Sequence, residues 1–284
     1  MYGERKAAMG QIAGIARDEA LYLILWALGL PLESGPEVLA RKLTAAELKA
    51  IDAVLHRRLV LHVPAAYITG EAWLGGLSFS VDERVLIPRS YFVEILPTQV
   101  DPWLAKPREV RRVADVCTGS GCLAVLLARH FKKAVVDGFD LSADALDVAA
   151  VNVKRHRLSG RVRLIRSDLM DAAPSGLYDV ILSNPPYEPS GHVDRLPAEF
   201  KKEPRLALDG GPDGLVLVRR LLKQAATLLK PSGILMVEVG GCRDAFDGEF
   251  PHLKPHWFYT EDGSDCVCLV QAERLRLPQA RARS

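Results

Sequence analysis

Tyr178-Asp-Val-Ile-Leu-Ser-Asn-Pro-Pro-Tyr187 is the stretch from which the whole chain can be read. Val180, Ile181 and Leu182 form a short run of branched apolar residues, the pattern of a buried strand. The run stops at Asn184-Pro-Pro-Tyr187. Neither proline can donate to a sheet ladder, and each fixes φ near about −65°. The backbone leaving the strand is therefore stiff. It carries one amide side chain, the carbonyls of Asn184 and Pro185, and the ring of Tyr187. Those atoms suit a planar NH2 group. An amide oxygen and a backbone carbonyl accept its two hydrogens, and an aromatic face packs on the flat π system beside it. Accepting both N–H bonds orients the nitrogen and pushes electron density onto it, which a poor nucleophile such as an amide or exocyclic amine requires. The competing reading is a Pro-Pro turn that closes a core strand.

Working outward, the chain from about residue 107 alternates strand and helix almost to its end. Strands are expected over Val110–Val116, Ala134–Phe139, Val162–Ile165, the stretch already quoted, and Ile234–Val239. A terminal antiparallel pair is expected at His256–Thr260 and Cys266–Gln271, and a helix over Asp213–Lys230 closed by Pro231-Ser-Gly233. Between the first strand and the helix of Leu123, Val125, Leu126 and Leu127 lies Cys117-Thr-Gly119-Ser-Gly121-Cys. Glycines there permit positive φ and bring backbone N–H groups close to a ligand. Ser142 is placed to cap the next helix, which carries Val148 and Val151. Asp140 ends the second strand about 20 residues beyond the loop, the spacing at which a carboxylate grips ribose hydroxyls.

Gly119, Gly121 and Ala124 also satisfy the dinucleotide fingerprint, so this loop alone fits NAD as well as S-adenosylmethionine. Three features favour S-adenosylmethionine. Asp115 precedes the loop; a carboxylate there disfavours a pyrophosphate but helps hold a cationic methionine end, directly or through the loop. Asp168 ends the third strand, where it can accept from an adenine amino group with Leu169 beside the ring. The fourth strand ends in an amide-gripping motif for which NAD chemistry has no use. Strand-end residues on four strands are expected to converge on one crevice.

Ahead of this lies a helical region, residues 1 to about 66. Arg17–Leu28 has acids early and is stopped by Gly29-Leu-Pro31. Thr44 and Glu47 form a capping box opening a helix to about His62, with Leu48, Ile51, Leu55 and Leu59 on its apolar stripe. Trp73-Leu-Gly-Gly-Leu-Ser-Phe-Ser-Val81, followed by Val85-Leu-Ile-Pro-Arg89, reads as a β-hairpin bridging two domains. Arg89 is a candidate for a cofactor carboxylate or for a structural salt bridge.

The 284 residues are 49% apolar and 25% charged, with 37 Lys and Arg against 35 Asp and Glu. The resulting +2 shows no basic excess of the kind a nucleic-acid groove needs. Ala20–Leu32 is too short an apolar run to span a bilayer, so no membrane partner is expected. Cys117, Cys122, Cys242, Cys266 and Cys268 are odd in number and match no zinc spacing, which predicts reduced thiols, no metal and a cytoplasmic protein. Cys266 and Cys268 alternate as core residues. Arg274–Ser284 reads as a solvated basic tail, with a nucleic-acid or ribosome contact as the alternative.

Taken together, these motifs resemble the class I methyltransferases, and more narrowly the protein N(5)-glutamine methyltransferases. The likeness runs through Asp115–Gly121, Phe139-Asp140, Ser167-Asp168, Asn184–Tyr187, Glu203-Pro-Arg-Leu-Ala-Leu-Asp-Gly-Gly211 and Asp213-Gly214. Ser90, Asp115–Cys122 and Leu196-Pro-Ala-Glu-Phe200 are similar to the branch that modifies large-subunit ribosomal protein three. Glu238-Val-Gly-Gly-Cys242 departs from the release-factor branch. The resemblance implies an α/β, Rossmann-like, mostly parallel seven-stranded sheet, with an N-terminal helical substrate-recognition domain joined by a β-hairpin. The expected boundaries are 1–66, hairpin 67–92, methyltransferase domain 93–273 and tail 274–284.

It also implies that Asp115, Cys117, Thr118, Gly119, Ser120 and Gly121 wrap S-adenosylmethionine. Asp140 holds its ribose, Leu141 and Asn184 add further contacts, and Asp168 and Leu169 flank its adenine. Asn184, Pro185, Pro186 and Tyr187 hold the target amide and form the catalytic set. The implied substrate is a glutamine of ribosomal protein three or, alternatively, of a peptide release factor. A nucleic-acid amino methyltransferase is a further alternative. A binding module that has lost catalysis is a third, against which intact Gly119, Gly121, Asp140 and Asn184 speak.

Overall fold

The computed structural model describes residues 15–35 and 37–277. The start of the helical region and most of the basic tail, residues 278–284, lie outside them.

Among the described residues four helices come first: α1 (Ala16–Ala27), α2 (Glu37–Ala40), α3 (Ala45–Leu59) and α4 (Ala65–Thr69). The capping box of α3 forms, with Thr44 N–H donating to Glu47 and Glu47 N–H to Thr44 Oγ1. Its buried stripe differs from the expected one. Leu48 is 49% exposed, whereas Arg58 is wholly buried. Arg58 turns inward because two carboxylates, Glu19 of α1 and Glu199 far along the chain, meet it there. Helix continues in α4 to Thr69, past the expected boundary at residue 66.

Strands β1 (Glu71–Leu74) and β2 (Leu77–Ser80) form the hairpin. Gly75 and Gly76 both take positive φ, 57° and 72°, as the tight two-residue turn demands. Val85–Arg89 forms no strand. Its backbone is held from outside instead, Val85 O by the Tyr67 hydroxyl and Ile87 N–H by Glu203.

After the hairpin come α5 (Phe92–Thr98), β3 (Arg112–Val116), α6 (Cys122–His130), β4 (Val135–Asp140), α7 (Ala143–Arg155), β5 (Val162–Arg166) and β6 (Tyr178–Ser183). After these come α8 (Ser190–Val193), α9 (Val216–Leu228), β7 (Leu229–Glu238), α10 (Arg243–Glu249), β8 (His256–Trp257), β9 (Val267–Gln271) and α11 (Ala272–Leu275). The sheet order is β5-β4-β3-β6-β7-β9-β8, with β9 antiparallel to both its neighbours and the other pairs parallel. From β3 the chain first builds outward through β4 and β5, then crosses to β6 on the other side. The crevice at the carboxyl ends of β3 and β6 is thus the switch point at which open α/β sheets bind ligands.

Both faces of the sheet are covered, so its strands alternate between two cores. Val113, Val136, Val180 and Leu182 pack with Phe92, Leu123 and Leu127 on one face. Ala114, Val116, Ile181 and Leu235 pack with Val218, Leu221 and Phe246 on the other. Burial of each Val, Leu, Ile or Phe side chain among these contributes about 1.5–3 kcal/mol. Cys266 and Cys268 are buried, as their alternation predicts. Helix α9 begins at Val216 rather than Asp213, whose carboxylate instead accepts from Leu215 N–H. The chain is already extended at Leu229, and β7 falls out of step with β6 between Tyr178 and Val180, absorbing Pro231-Ser-Gly233.

Residues 274–277 are not a free tail. Arg276 donates to the carbonyls of Ala226 and Leu229, where the last carbonyls of α9 lack helical partners. Among the described residues no helix is long and apolar enough to cross a membrane.

Candidate active site

The loop after β3 is braced from below. Asp115 is fully buried, and Thr118 Oγ1 donates to its Oδ2 at 2.5 Å. Burial pushes the Asp115 carboxyl up to about 7. Gly119 and Gly121 take φ of 54° and 76°. A Cβ on Gly121 would lie 3.1 Å from that of Ala149, so this glycine lets α6 approach α7 closely. Asn152 of α7 donates to the carbonyls of Ser120 and Ser80 and accepts from Ser80 N–H at 2.7 Å. One buried amide thereby ties the hairpin to the glycine loop. The sequence offered a signal for it: Asn152 is a polar residue on a stripe with Ala145, Val148 and Ala149. Val151, by contrast, is 54% exposed.

Above the loop a cleft opens at the tips of β3, β4, β5 and β6. Cys117, Gly119, Asp140, Leu141, Asp168, Leu169, Asn184 and Pro186 line it. Asp140 accepts from Gly119 N–H at 2.8 Å and from Ser142 N–H at 2.9 Å, and burial raises its carboxyl pKa. Asp168 accepts from Arg220 at 2.8 Å. Cys117 and Leu169 both hold positive φ, 63° and 50°, a strained conformation that recurs at ligand sites. Burial pushes the Cys117 thiol up, which favours its protonated form. Asp115, Thr118, Ser120 and Gly121 do not line the cleft; they stand behind the loop and shape it.

A second pocket adjoins the first through Leu86, Asn184 and Ala207, which line both. Pro185 and Tyr187 line this second pocket, with Leu196 and Phe200 opposite. Asn184 Nδ2 donates to the Arg89 carbonyl at 3.3 Å. That bond engages one amide hydrogen and leaves the side-chain oxygen as an acceptor. Arg89 itself makes a structural ion pair with Glu203 at 2.9 Å and lies over the Phe200 ring. Glu203 also receives Ile87 N–H, so one carboxylate fixes the crossing segment on which Asn184 leans.

The segment Glu203–Gly211 is explained by backbone pairing. Glu188 N–H donates to Leu208 O, Gly210 N–H to Glu188 O, and Ser190 N–H to Gly211 O. A Cβ on Gly210 would lie 2.7 Å from Tyr187 Cα, and one on Gly214 would lie 2.3 Å from Tyr187 O. The glycines are there because another backbone passes where a side chain would be. From the sequence alone this segment is a family likeness, and Glu203, Asn152 and Glu238 have no role there.

A seven-stranded sheet in this order, with one antiparallel strand and a ligand cleft at its switch point, defines the class I methyltransferase fold. The methyltransferase small domain family matches residues 93–212. Solved structures share the fold, and two illustrate it. A methyltransferase from Pyrococcus furiosus has a TM-score of 0.50 at 16% identity, covering 78% of this chain and 96% of that one. The hMettl16 catalytic domain in complex with MAT2A 3'UTR hairpin 6 has a TM-score of 0.52 at 17% identity, covering 80% of this chain and 81% of that one.

Sequence relatives narrow the class. The ribosomal protein uL3 glutamine methyltransferase of Neisseria meningitidis serogroup B is 46% identical over 260 residues, 92% of this chain and 86% of the relative. That of Bordetella pertussis is 44% identical over 270 residues, 95% and 91% of the two chains. The Burkholderia pseudomallei protein of the same name is 42% identical over 281 residues, 96% and 92%. The chain belongs to the ribosomal protein uL3 glutamine methyltransferase family.

Proposed function

We propose that this enzyme transfers a methyl group from S-adenosylmethionine to the side-chain amide nitrogen of a glutamine in ribosomal protein uL3, in the cytoplasm. The observation that carries the reading is the position of Asn184 on the shared wall of the cleft and the second pocket. Relatives above 40% identity that bear this activity in their names support the substrate.

The cleft suits the cofactor. Among the described residues lining it, Arg84 is the only cation, against the acids Asp140 and Asp168. Such a lining disfavours a pyrophosphate and accommodates a ligand with a sulfonium and an ammonium group. Asp140 is placed to hold ribose hydroxyls, with Leu141 beside it, and Asp168 and Leu169 to flank adenine. Cys117 and Gly119 bring backbone against the methionine end, while Asp115, Thr118, Ser120 and Gly121 keep the loop in shape. S-adenosylmethionine supplies an electrophilic methyl group when bound.

The protein's part is orientation. Asn184 Oδ1 and the Pro185 carbonyl accept the two N–H bonds of the target amide, and Tyr187 packs on its plane. Positioning of this kind, together with fixed acceptors for charge developing on the nitrogen, supplies the acceleration. The N–H becomes acidic once the nitrogen is alkylated, so no general base is required. The N-terminal helices and the hairpin recognise the substrate around the glutamine.

The test is methyl transfer from radiolabelled cofactor to purified uL3, release factor or RNA, followed by mass spectrometry of the labelled product. One methyl group on a uL3 glutamine is expected. Label on release factor or RNA in its place overturns the assignment.

A further inference from the structure

The Tyr187 side chain is constrained along its ring and at its tip. Its ring lies against Gly240: a Cβ there would fall 2.3 Å from Cε2 and 2.6 Å from Cδ2. Its hydroxyl lies 3.4 Å from Glu238 Oε1. Glu238 is the last residue of β7 and is 3% exposed. Its other oxygen accepts from Ser90 Oγ at 2.6 Å, and Ser90 Oγ in turn accepts from Phe92 N–H. The segment leaving the hairpin region, the tip of β7 and the aromatic residue of the Asn-Pro-Pro-Tyr corner therefore meet at one buried carboxyl group.

A carboxylate in such a place is costly to bury, and neutral hydroxyl partners offset that cost only in part. Packing alone would be better served by an amide or an apolar side chain. Violations of this kind concentrate at functional sites. The group it touches is the ring that faces the target amide.

We propose that Glu238 is a positioning residue for methyl transfer, acting through the phenol of Tyr187. Ser90 holds the carboxylate, the carboxylate holds the phenol, and Gly240 leaves the ring one place to lie. The inference rests on the glutamine-methylation reading given above.

Protonation changes this arrangement. As an anion, Glu238 accepts from both hydroxyls; once protonated, one of its oxygens becomes an O–H donor and a weaker acceptor, so the two hydroxyls are no longer held alike. Burial pushes its pKa up to about 7, against the Ser90 and Tyr187 hydroxyls, the Tyr91 backbone N–H and the Arg89 charge, which favour the anion. The Cys266 thiol also faces it. The anion is therefore lost as pH falls through neutrality, and turnover with it.

The experiment compares wild type, Glu238→Gln, Tyr187→Phe, the double variant and Ser90→Ala in methylation of uL3 between pH 6 and 8. In wild type, kcat is expected to rise roughly tenfold across this range, below the roughly 100-fold that a 1 Å misplacement can cost. Glu238→Gln should flatten that rise, and so should Tyr187→Phe, which has no hydroxyl to hold. The double variant should be no slower than Tyr187→Phe alone. Ser90→Ala, away from the core of the sheet, should lower kcat in the same direction. KM for the cofactor should stay within about twofold throughout, because none of these groups lines its cleft.

A full pH rise persisting in Tyr187→Phe would overturn the inference, since the titrating group would then act by another route; the buried Asp115 is one such group. Equal, multiplying losses from Glu238→Gln and Tyr187→Phe would also overturn it. If wild type failed to methylate uL3 at all, the functional reading itself would fall. Active wild type with an unaffected Glu238→Gln would sink only the role of Glu238.

Discussion

Arg58 donates from Nη1 to Glu199 Oε1 at 3.1 Å, across 141 residues of chain, with both side chains withdrawn from water. From Nε it also donates to Glu19 at 2.6 Å. One guanidinium thus joins α1, α3 and the segment that follows the Asn-Pro-Pro-Tyr corner. Glu199 directly precedes Phe200, which with Leu196 lines the pocket next to Asn184. The helical domain therefore sets one wall of the pocket assigned to the substrate.

Replacing Arg58 with Met should be expensive, because it removes the guanidinium that the buried carboxylates of Glu19 and Glu199 share. Breaking a buried ion network in this way costs about 3–5 kcal/mol. Urea unfolding should show that loss. Arg58→Lys should recover only part of it, since a compact ammonium cannot reproduce a fork that reaches two acids from different nitrogens. A change below about 1 kcal/mol in Arg58→Met would mean that this ion network contributes little to holding the helical region in place.

Asn184→Ala separates binding from chemistry. The Asn184 side chain contributes one acceptor to the pocket, while most of the cleft wall is formed by other residues. Calorimetry should find cofactor affinity near wild type. Turnover on uL3 should drop by roughly 100-fold or more, on the scale of losing one preorganised polar group from a reaction site. Normal turnover in this variant would remove Asn184 from the role given to it.

Most of the fold was legible because strands buried on both faces write themselves as apolar runs: Val180-Ile-Leu182 is one, and its terminating prolines mark its end. The glycine loop was legible for a similar reason, since Gly119 and Gly121 hold φ values that other residues avoid. What could not be read were side chains whose partners are remote in sequence. Arg58 falls on the apolar stripe of α3 by its spacing, but its charge assigns it to solvent until Glu19 and Glu199 are seen to meet it there. Glu203 lies 114 residues from the Arg89 it pairs with. Asp115 reads from sequence as acting on the ligand directly or through the loop, and the bond it accepts from the Thr118 hydroxyl is to a partner only three residues away.

Asp140→Ala should weaken cofactor binding in two ways. It removes the carboxylate placed to meet ribose, and it frees Gly119 N–H, which that carboxylate now holds. Hydrogen bonds to a charged group are worth about 1.5–3 kcal/mol each. Calorimetry should therefore show Kd rising roughly tenfold to 100-fold. Asp140→Asn keeps one acceptor oxygen and should fall between the two. Because burial raises the Asp140 pKa, cofactor affinity should also decline as the solution becomes acidic. Unchanged affinity in Asp140→Ala would place the ribose elsewhere.

Asp115 should leave its mark on stability rather than on chemistry. Burial lifts its carboxyl from 3.8 to about 7 in the folded protein. Between those values the folded state keeps a proton that the unfolded chain has released. The stabilisation of the folded state by that proton is fully present below about pH 4. It is lost as pH rises to 7, at up to about 1.4 kcal/mol per pH unit. Asp115→Asn retains an oxygen for the Thr118 hydroxyl and carries no titrating group. In urea unfolding at pH 5, 6, 7 and 8, its stability should fall less steeply than that of wild type, and at pH 8 it should be the more stable protein. Some slope should remain, because Glu238 is also raised to about 7 by burial. Parallel curves for the two proteins would show that Asp115 is ionised in the folded state across this range, with its charge met by a partner other than Thr118.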